Sequence, residues 1–203
     1  MEKQIWEEVD IKILEEIRRL YTILTGLMKN KWNRDLPLEE LIFDRWERAK
    51  QLGFGEGTSI YHNSYIYGNL KVGKYTWIGP FTLLDGTGGL EIGDYCNISS
   101  GVQIYTHDTI KWALTGGVAE YERREVKIGN CCYIGPLSVV TKGVKVGDRS
   151  LIGAHSLVTT DVPNNSIAFG IPAKVVGKIE ISESADVNFI YYAEKSGRGG
   201  DKV

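Results

Sequence analysis

The residue best suited to proton transfer in this sequence is His107, one of three histidines. It lies in the segment VQIYTHD, at the start of a long interruption, at about residues 106–125, in an otherwise regular stretch of chain. A histidine at the mouth of a loop can titrate near neutral pH and remove a proton from a hydroxyl or an amine. We therefore interpret His107 as a candidate general base, with an ordinary surface histidine as the alternative.

The other titratable neighbours have weaker claims to chemistry. We interpret His62, which lies far from the loop in sequence, as structural, and His155, in IGAHSL, as a corner residue at the surface. Asp108 follows His107 directly, but adjacent side chains on extended backbone point apart, so the spacing does not favour this pair. The three histidines are each more than forty residues apart, and we expect no metal site.

A six-residue repeat surrounds His107. Branched apolar residues recur every six positions, slip by two at the segment DGTGGL, resume, and run again after the loop. The fourth residue after each one is usually small or β-branched, and a glycine often follows the aliphatic directly. The aliphatic positions are Ile60, Ile66, Val72, Ile78, Leu84, Ile92, Ile98, Ile104, Ile128, Ile134, Val140, Val146, Ile152 and Val158.

This period excludes the two common secondary structures. An amphipathic helix repeats at about 3.6 residues and a flat strand at about 2, so neither produces a strict period of six. The period is typical of a coil of short parallel strands in which three repeats complete one triangular turn. We expect the aliphatic residues to fill the interior, the small residues to fit its taper, and the glycines to permit an unusual corner backbone.

Here the chain resembles the hexapeptide-repeat acyltransferases, a family of left-handed parallel β-helix enzymes. The resemblance covers roughly residues 58–180, and includes the hexads, VQIYTHD before a long loop, and the closing stretch DVPNNSIAFGIPAKVVGKI. It implies a mainly β fold and an acyltransferase, by default an acetyltransferase, that uses acetyl-CoA as co-substrate. It also implies a homotrimer with active sites at subunit interfaces, and direct transfer in a ternary complex with His107 as general base.

The resemblance further implies a donor groove along the later coils. The positions that match it here are Gly135, Ala154, Thr159, Thr160 and Lys174. Lys174 is expected to pair with a coenzyme phosphate, and a solvated lysine is the alternative. The chain departs from the family twice: Thr160 stands where some relatives have lysine, for which Lys178 is a candidate substitute. Pro136 stands where some relatives use a backbone N–H, which proline lacks.

The acceptor site is expected between the loop and the preceding coil, and the resemblance favours a sugar or nucleotide-sugar acceptor. Asp85, in LLDGTGGL at the register slip, is a candidate to hydrogen-bond a polyol; a turn-forming Asp-Gly is the open alternative. Trp112, Tyr121 and Glu122 in the loop suit a sugar face or a nucleotide base. The same aromatic side chains are also suited to pinning the loop in place.

Helical patterns precede the repeat. Apolar residues recur at steps of three and four from Trp6 to Leu27, which predicts an amphipathic helix of roughly twenty-five residues. A proline in the first turn and Gly53 just past the end predict a second helix from Pro37 to Leu52. We expect these helices to cap the open end of the β-helix or to pack between subunits.

The chain is therefore predicted to comprise a helical segment at 1–55, a β-helix domain at 56–180 and a flexible tail at 181–203. Lys+Arg 24 against Asp+Glu 26 leave no basic excess for a nucleic-acid or membrane partner. The charged N-terminus and the three cysteines, which cannot all pair, predict a cytoplasmic protein with free thiols. Cys96 and Cys132 fall in the small-residue slot and are interpreted as core.

Two other functions fit the same fold. A γ-type carbonic anhydrase would bind zinc through three histidines across a subunit boundary, but the histidine spacing here does not favour it. A non-catalytic trimeric scaffold is favoured by Pro136 and Thr160. His107 before a long loop argues against the scaffold, because a scaffold needs neither feature.

Overall fold

The computed structural model describes residues 11–193, in which strands outnumber helices. In this range no helix combines the length and the apolar character that a membrane span requires. The helices are α1 (Ile11–Trp32), α2 (Leu38–Ile42), α3 (Arg45–Gln51) and α4 (Ile110–Leu114). The strands are β1 (Ser59–Ile60), β2 (Tyr65–Val72), β3 (Trp77–Ile78), β4 (Leu83–Ile92), β5 (Asn97–Ile98), β6 (Gln103–Ile104), β7 (His107–Asp108), β8 (Glu122–Arg123), β9 (Val126–Ile128), β10 (Tyr133–Ile134), β11 (Val139–Val140), β12 (Lys145–Val146), β13 (Leu151–Ile152), β14 (Leu157–Val158), β15 (Ser166–Gly170), β16 (Ala173–Ile181) and β17 (Val187–Tyr191).

The strands stack into a parallel β-helix with three faces. Face A contains β1, β3, β5, β10 and β13. Face B contains the start of β4 with β6, β11 and β14, and face C contains the end of β4 with β9 and β12. Strand β2 pairs with β4 across both of these faces. The predicted fold class, a left-handed parallel β-helix of hexapeptide repeats, is confirmed, with about 6 turns.

Pairing along face A shows where the repeat is interrupted. The paired residues Ile60 and Ile78 are 18 positions apart, as are Ile134 and Ile152, which is three hexads per turn. Ile78 and Ile98 are 20 positions apart, and the two extra residues lie in the DGTGGL slip. Ile98 and Ile134 are 36 positions apart, so one turn carries an insertion of 18 residues. This insertion is the predicted loop.

The interior is filled by the predicted residues. Every predicted aliphatic position is buried except Ile66, which is partly buried and packs against the core. The small-residue slots are buried as well, and their polar members, with the exception of Thr82, donate hydrogen bonds to backbone carbonyls, most of them in the next coil. Ser138 Oγ donates to the Gly153 carbonyl at 2.8 Å, and Cys96 Sγ to the Gly129 carbonyl at 3.0 Å. The cysteines of this slot are therefore core residues, as predicted.

The glycines of the repeat have a different role from the predicted one. The left-handed corner conformation falls on the third residue after the aliphatic, for example Tyr95 (φ 54°) and Leu137 (φ 59°). The glycine directly after the aliphatic instead permits close stacking of coils. A Cβ on Gly93 would lie 2.8 Å from the carbonyl carbon of Gly129, and one on Gly129 would lie 2.7 Å from the amide nitrogen of Asp148. The expectation of an unusual glycine backbone at this position was wrong.

The helical segment closes one end of the β-helix through α3. Its Ala49 is buried, and Arg48 donates hydrogen bonds to the carbonyls of Tyr61 and Ser64 in the first coil. This is one of the two roles predicted for the helices. Helix α1 buries no residue, and α2 is its principal neighbour among the named elements. Trp6 and Val9 of the predicted first helix lie outside the described residues.

The second predicted helix, Pro37 to Leu52, is wrong as a single element. The chain breaks at Phe43 and Asp44 into α2 and α3. The Asp44 carboxylate accepts hydrogen bonds from the amides of Trp46 at 2.8 Å and Glu47 at 3.0 Å, and so caps a new helix. The residues Asp44 and Glu47 have the spacing of a capping box, which was the sequence signal for this break.

The chain beyond residue 181 contains regular structure. Strand β16 pairs antiparallel with β15, and β17 pairs antiparallel with β16 from Val187 to Tyr191. The prediction of a flexible tail from residue 181 was therefore wrong for residues 187–191. The β-branched and aromatic residues of VNFIY favour a strand. The segment SGRGGDKV of the predicted tail lies outside the described residues.

Candidate active site

A buried carboxylate contacts the candidate base. Asp85, in β4, is 1% exposed, and its Oδ2 lies 2.6 Å from His107 Nδ1. The same oxygen accepts hydrogen bonds from the amides of Thr106 at 2.8 Å and His107 at 3.2 Å. The other oxygen, Oδ1, accepts from the Thr87 amide at 3.0 Å and from its hydroxyl at 2.7 Å. Both oxygens of Asp85 are therefore occupied within the protein.

The two interruptions of the repeat meet at this pair. Asp85 to Gly89 form the register slip, and Thr106 and His107 begin the loop. The Gly88 amide donates to Thr106 Oγ1 at 2.8 Å, which joins the slip to the start of the loop. A Cβ on Gly88 would lie 2.4 Å from the Thr106 carbonyl oxygen, so only glycine allows this approach. The slip thus turns the Asp85 carboxylate towards the neighbouring corner.

Hydrogen bonding keeps Asp85 ionised. Burial alone would raise the pKa of this carboxyl group, but the hydrogen bonds from Thr87, Thr106 and His107 outweigh burial and lower the pKa to about 2. An ionised Asp85 accepts a hydrogen bond from the Nδ1–H group of a neutral His107. Thr87 Oγ1, 2.9 Å from Nδ1, can accept from the same N–H group. With Nδ1 protonated, the lone pair of Nε2 is free to accept a proton from a ligand. This tautomer is assigned from the hydrogen-bond network.

The loop is folded onto the β-helix by charged side chains. Strands β7 and β8 pair antiparallel, and α4 lies between them. Lys142, one coil further along, pairs with Asp108 and with Glu122, the latter at 3.0 Å, and Lys111 also pairs with Glu122. Lys111, and then Lys142, lower the pKa of Glu122 to about 2. Asp108 is therefore a partner of Lys142 and does not orient His107.

A cleft of about 540 Å³ opens between the loop and the coil. Most of the side chains that line it are polar or charged, and Ile110 and the ring of Tyr105 add apolar surface. Its position beside His107 makes it the candidate acceptor site. The residues that line it are Tyr105, His107, Asp108, Thr109, Ile110, Glu122, Arg124, Thr141 and Lys142.

Among the predicted acceptor residues, Asp85 needs correction. Its carboxylate is buried and bonded to His107, so it orients the His107 ring and is not available to a polyol. Glu122 lines the cleft, although its carboxylate is paired with lysines. Tyr121 lies between the rings of Trp112 and His107, with centroids 5.8 Å and 6.4 Å away. These contacts favour the alternative in which Trp112 and Tyr121 pin the loop.

Four of the predicted donor residues lie at two corners of the β-helix, and Lys174 lies in β16. Gly135 and Ala154 stack at the corner between faces A and B, where a Cβ on Gly135 would lie 2.5 Å from the Ala154 amide nitrogen. Thr159 and Thr160 follow β14 on face B, and both are exposed, as are Ala154 and Lys174. Their role in binding a donor stays a prediction.

The departures from the family are visible at these positions. The Pro136 carbonyl accepts a hydrogen bond from the His155 amide at 2.9 Å, and the residue has no N–H to offer. Lys178 Nζ pairs with Glu180 at 2.5 Å. Lys178 is thus already engaged, which weakens it as a substitute for the lysine that Thr160 replaces.

The remaining histidines lie outside the cleft. His62 stacks on Phe43 with ring centroids 5.2 Å apart, and its amide donates to Glu40 Oε1 at 2.5 Å, so it joins the helical segment to the first coil. His155 is an exposed corner residue. Within residues 11–193 of one chain, no group of three or more His, Cys, Asp or Glu is placed to hold a metal ion. The fold and the site define a hexapeptide-repeat protein with a histidine–carboxylate pair beside a polar cleft.

Comparison with known proteins agrees with this class. Residues 125–160 match the family model described as bacterial transferase hexapeptide (six repeats). Protein CapG of Staphylococcus aureus is 35% identical over 115 residues, which cover 56% of this chain and 67% of CapG. Galactoside O-acetyltransferase of Escherichia coli K12 is 29% identical over 128 residues, which cover 53% of this chain and 63% of that protein. The chain thus belongs to the bacterial hexapeptide-repeat transferase family.

Solved structures share the fold. A mutant of AntD, an N-acyltransferase from Bacillus cereus in complex with dTDP-4-amino-4,6-dideoxyglucose and coenzyme A, has a TM-score of 0.53 and 25% identity. The match covers 64% of this chain and 87% of AntD. The hexapeptide-repeat acetyltransferase VCA0836 of Vibrio cholerae, complexed with acetyl coenzyme A, has a TM-score of 0.50 and 24% identity, and the match covers 80% of this chain and 88% of that protein.

Proposed function

We propose that this protein transfers an acyl group, most simply acetyl, from acetyl-CoA to a hydroxyl or amine of a sugar or nucleotide-sugar. The observation that carries the proposal is the 2.6 Å contact between Asp85 and His107 at the edge of a cleft. A histidine that only packs in the core would not need an ionised partner, and a surface histidine would not need a carboxylate fixed by five further hydrogen bonds. The relatives that bind coenzyme A support the choice of donor.

The mechanism is direct transfer within a ternary complex. His107 Nε2 takes the proton from the acceptor hydroxyl or amine as that atom attacks the thioester carbonyl carbon. The tetrahedral intermediate collapses, the carbon–sulfur bond breaks, and the proton on His107 passes to the departing thiolate of coenzyme A. Asp85 holds Nδ1–H throughout and stabilises the imidazolium that forms transiently. Holding both substrates in one groove supplies much of the rate by proximity.

A homotrimer is the assembly that best accommodates both substrates. Gly135 and Ala154 lie at the corner between faces A and B, whereas His107 lies at the corner between faces B and C. Packing face B of one copy against another copy brings the two kinds of corner together. The residues that point outward on face B include Leu83, Val139 and Leu157, whereas those on face C are charged. The column of Leu83, Gln103, Val139 and Leu157 is apolar except for Gln103, and such a column between two corners suits a subunit interface.

The second candidate is a scaffold that has lost the chemistry. Pro136 favours it, because the backbone donor that some relatives use for the oxyanion is missing. The scaffold proposal leaves the Asp85–His107 pair and the cleft unexplained. The two proposals differ in whether the protein binds and uses acetyl-CoA.

Thermal unfolding with and without acetyl-CoA tests the donor site without knowledge of the acceptor. Wild type and His107→Ala are compared, and dephospho-coenzyme A serves as the control for the phosphate contact predicted for Lys174. A ligand present at about a hundred times its dissociation constant adds about 2.7 kcal/mol of stability. We expect the midpoint to rise for both proteins, and thiol release with sugar acceptors from wild type alone. No shift at millimolar acetyl-CoA would favour the scaffold.

A further inference from the structure

The cleft beside His107 is lined by one basic side chain, Arg124, that makes no ion pair with a carboxylate of the described residues. Arg124 is the residue directly after β8, and its side chain lines the cleft. Lys142, the other basic residue of the lining, is balanced by Asp108 and Glu122. Among the carboxylates of residues 11–193, none lies within 4.0 Å of the Arg124 guanidinium. The acidic groups of the lining are thus already neutralised by lysines.

The backbone and stem of Arg124 are held in place. The Arg124 amide donates to the Thr106 carbonyl at 2.8 Å, one residue before His107. Its stem lies against Gly143, where a Cβ would be 3.2 Å from Arg124 Cδ. Gly143 has a φ of +84°, so the corner needs glycine for its backbone as well as for this contact. A long cationic side chain held along its stem loses less entropy when its head binds a ligand.

We infer that Arg124 is a specificity-determining residue that binds an anionic group of the acceptor. The inference rests on the proposed function, because it names the acceptor class of the same cleft. A guanidinium matches the two oxygens of a phosphate or a carboxylate with parallel hydrogen bonds. The phosphates of a nucleotide-sugar and the carboxylate of a sugar acid offer this same chemistry. The other charged side chains of the lining form ion pairs, so a bound anion would neutralise the remaining positive charge, that of Arg124.

Binding measurements by calorimetry test the inference. The probes are dTDP for the phosphate source, glucuronate for the carboxylate source and methyl glucoside as the neutral sugar. The variants are Arg124→Gln, Arg124→Lys and the matched control Arg149→Gln, which removes an exposed arginine at the corner between faces C and A. We expect wild type to prefer one of the two anions over methyl glucoside. The preferred anion identifies the source.

In Arg124→Gln the Kd of that anion should rise about tenfold or more, with that of methyl glucoside unchanged. Arg124→Lys should keep part of the affinity, because it keeps the charge, and Arg149→Gln should match wild type. The inference is overturned if wild type does not prefer either anion, or if Arg124→Gln weakens the neutral sugar equally. Failure of the proposed function is a separate result, since these measurements require no transfer: it would appear as no thiol release from acetyl-CoA with any acceptor.

Discussion

Replacing Asp85 by asparagine keeps the shape of the side chain and removes its charge. The native carboxylate accepts backbone amides on both oxygens, Thr106 and His107 on Oδ2 and Thr87 on Oδ1. Asparagine has one acceptor oxygen and one NH2 group. Whichever way its amide is turned, the NH2 group faces at least one backbone N–H, and at least one donor is left without an acceptor. An unsatisfied buried donor costs about 1–3 kcal/mol.

The lost charge adds a second contribution, which depends on pH. The pKa of Asp85 falls from 3.8 to about 2 in the folded protein. At 1.36 kcal/mol per pH unit, this shift corresponds to about 2 kcal/mol of stability. Because the folded pKa is the lower one, the contribution is complete above about pH 4 and is lost as the pH falls towards 2. The stability difference between wild type and Asp85→Asn should therefore shrink over that range.

The same substitution should affect transfer more than binding. If the asparagine NH2 group faces His107 Nδ1, it donates to that nitrogen and favours a proton on Nε2, which removes the base. A positioned general base contributes about 10²–10⁴ to the rate, and we expect kcat to fall by about that factor. The donor-induced rise in the thermal midpoint should remain, because Asp85 lies at a different corner from Gly135 and Ala154.

Steady-state thiol release and urea unfolding at pH 7 and near pH 2.5 measure both effects. The matched control is Asp161→Asn, at an exposed corner, where Oδ1 accepts one amide hydrogen bond from Lys145 at 2.8 Å. Its unfolding free energy and kcat should stay close to those of wild type. If Asp85→Asn keeps kcat within about threefold of wild type, the assignment of Asp85 as the positioning residue is refuted.

Two further predictions concern the coil and the loop. Gly129→Ala places a Cβ 2.7 Å from the Asp148 amide nitrogen and should lower the free energy of unfolding in urea by about 1–3 kcal/mol. The control Gly26→Ala, which has open space around it in α1, should be neutral or stabilising. Equal effects of the two substitutions would contradict the stacking argument. Lys142→Met removes the lysine that pairs with Asp108 and Glu122, and should speed protease cleavage within the loop several-fold. The control Lys145→Met, on face C, should change the cleavage rate little. An unchanged cleavage rate in Lys142→Met would show that the ion pairs do not hold the loop.

The sequence was sufficient for the regular part of the molecule because the repeat acts locally and often. Each aliphatic position has the same environment in every coil, so the burial of Ile98 or Ile134 follows from the period alone. The sequence also contains a signal for the break at Asp44, the capping-box spacing of Asp44 and Glu47. The helical pattern from Pro37 to Leu52 continues across this signal, which made the break easy to miss. The glycines that follow the aliphatic positions were visible in the sequence, but the role predicted for them was wrong. The period alone does not tell whether a position needs glycine for its backbone conformation or for the lack of a Cβ. The stacking distance at Gly129 does so.

The candidate site was predictable only in part for a related reason. The loop pointed to His107, but its partner is 22 residues away, in the one turn where the register slips. A slip of two residues changes which side chains point inward, and hexad counting then no longer fixes the direction of Asp85. The Asp-Gly pair was also compatible with a simple turn. The decisive evidence, two amides converging on one carboxylate oxygen, is tertiary.

The position of the site follows from the stiffness of the rest of the coil. Regular hexads stack with glycines too close for a Cβ and leave no room between coils for a side chain that turns aside. The cleft lies where the repeat is interrupted. Two interruptions occur in neighbouring turns, at Asp85–Gly89 and at the loop. The Gly88–Thr106 hydrogen bond joins the two irregular segments, so the carboxylate from one meets the histidine from the other. Coils on either side then hold this pair in a fixed geometry, as a general base requires.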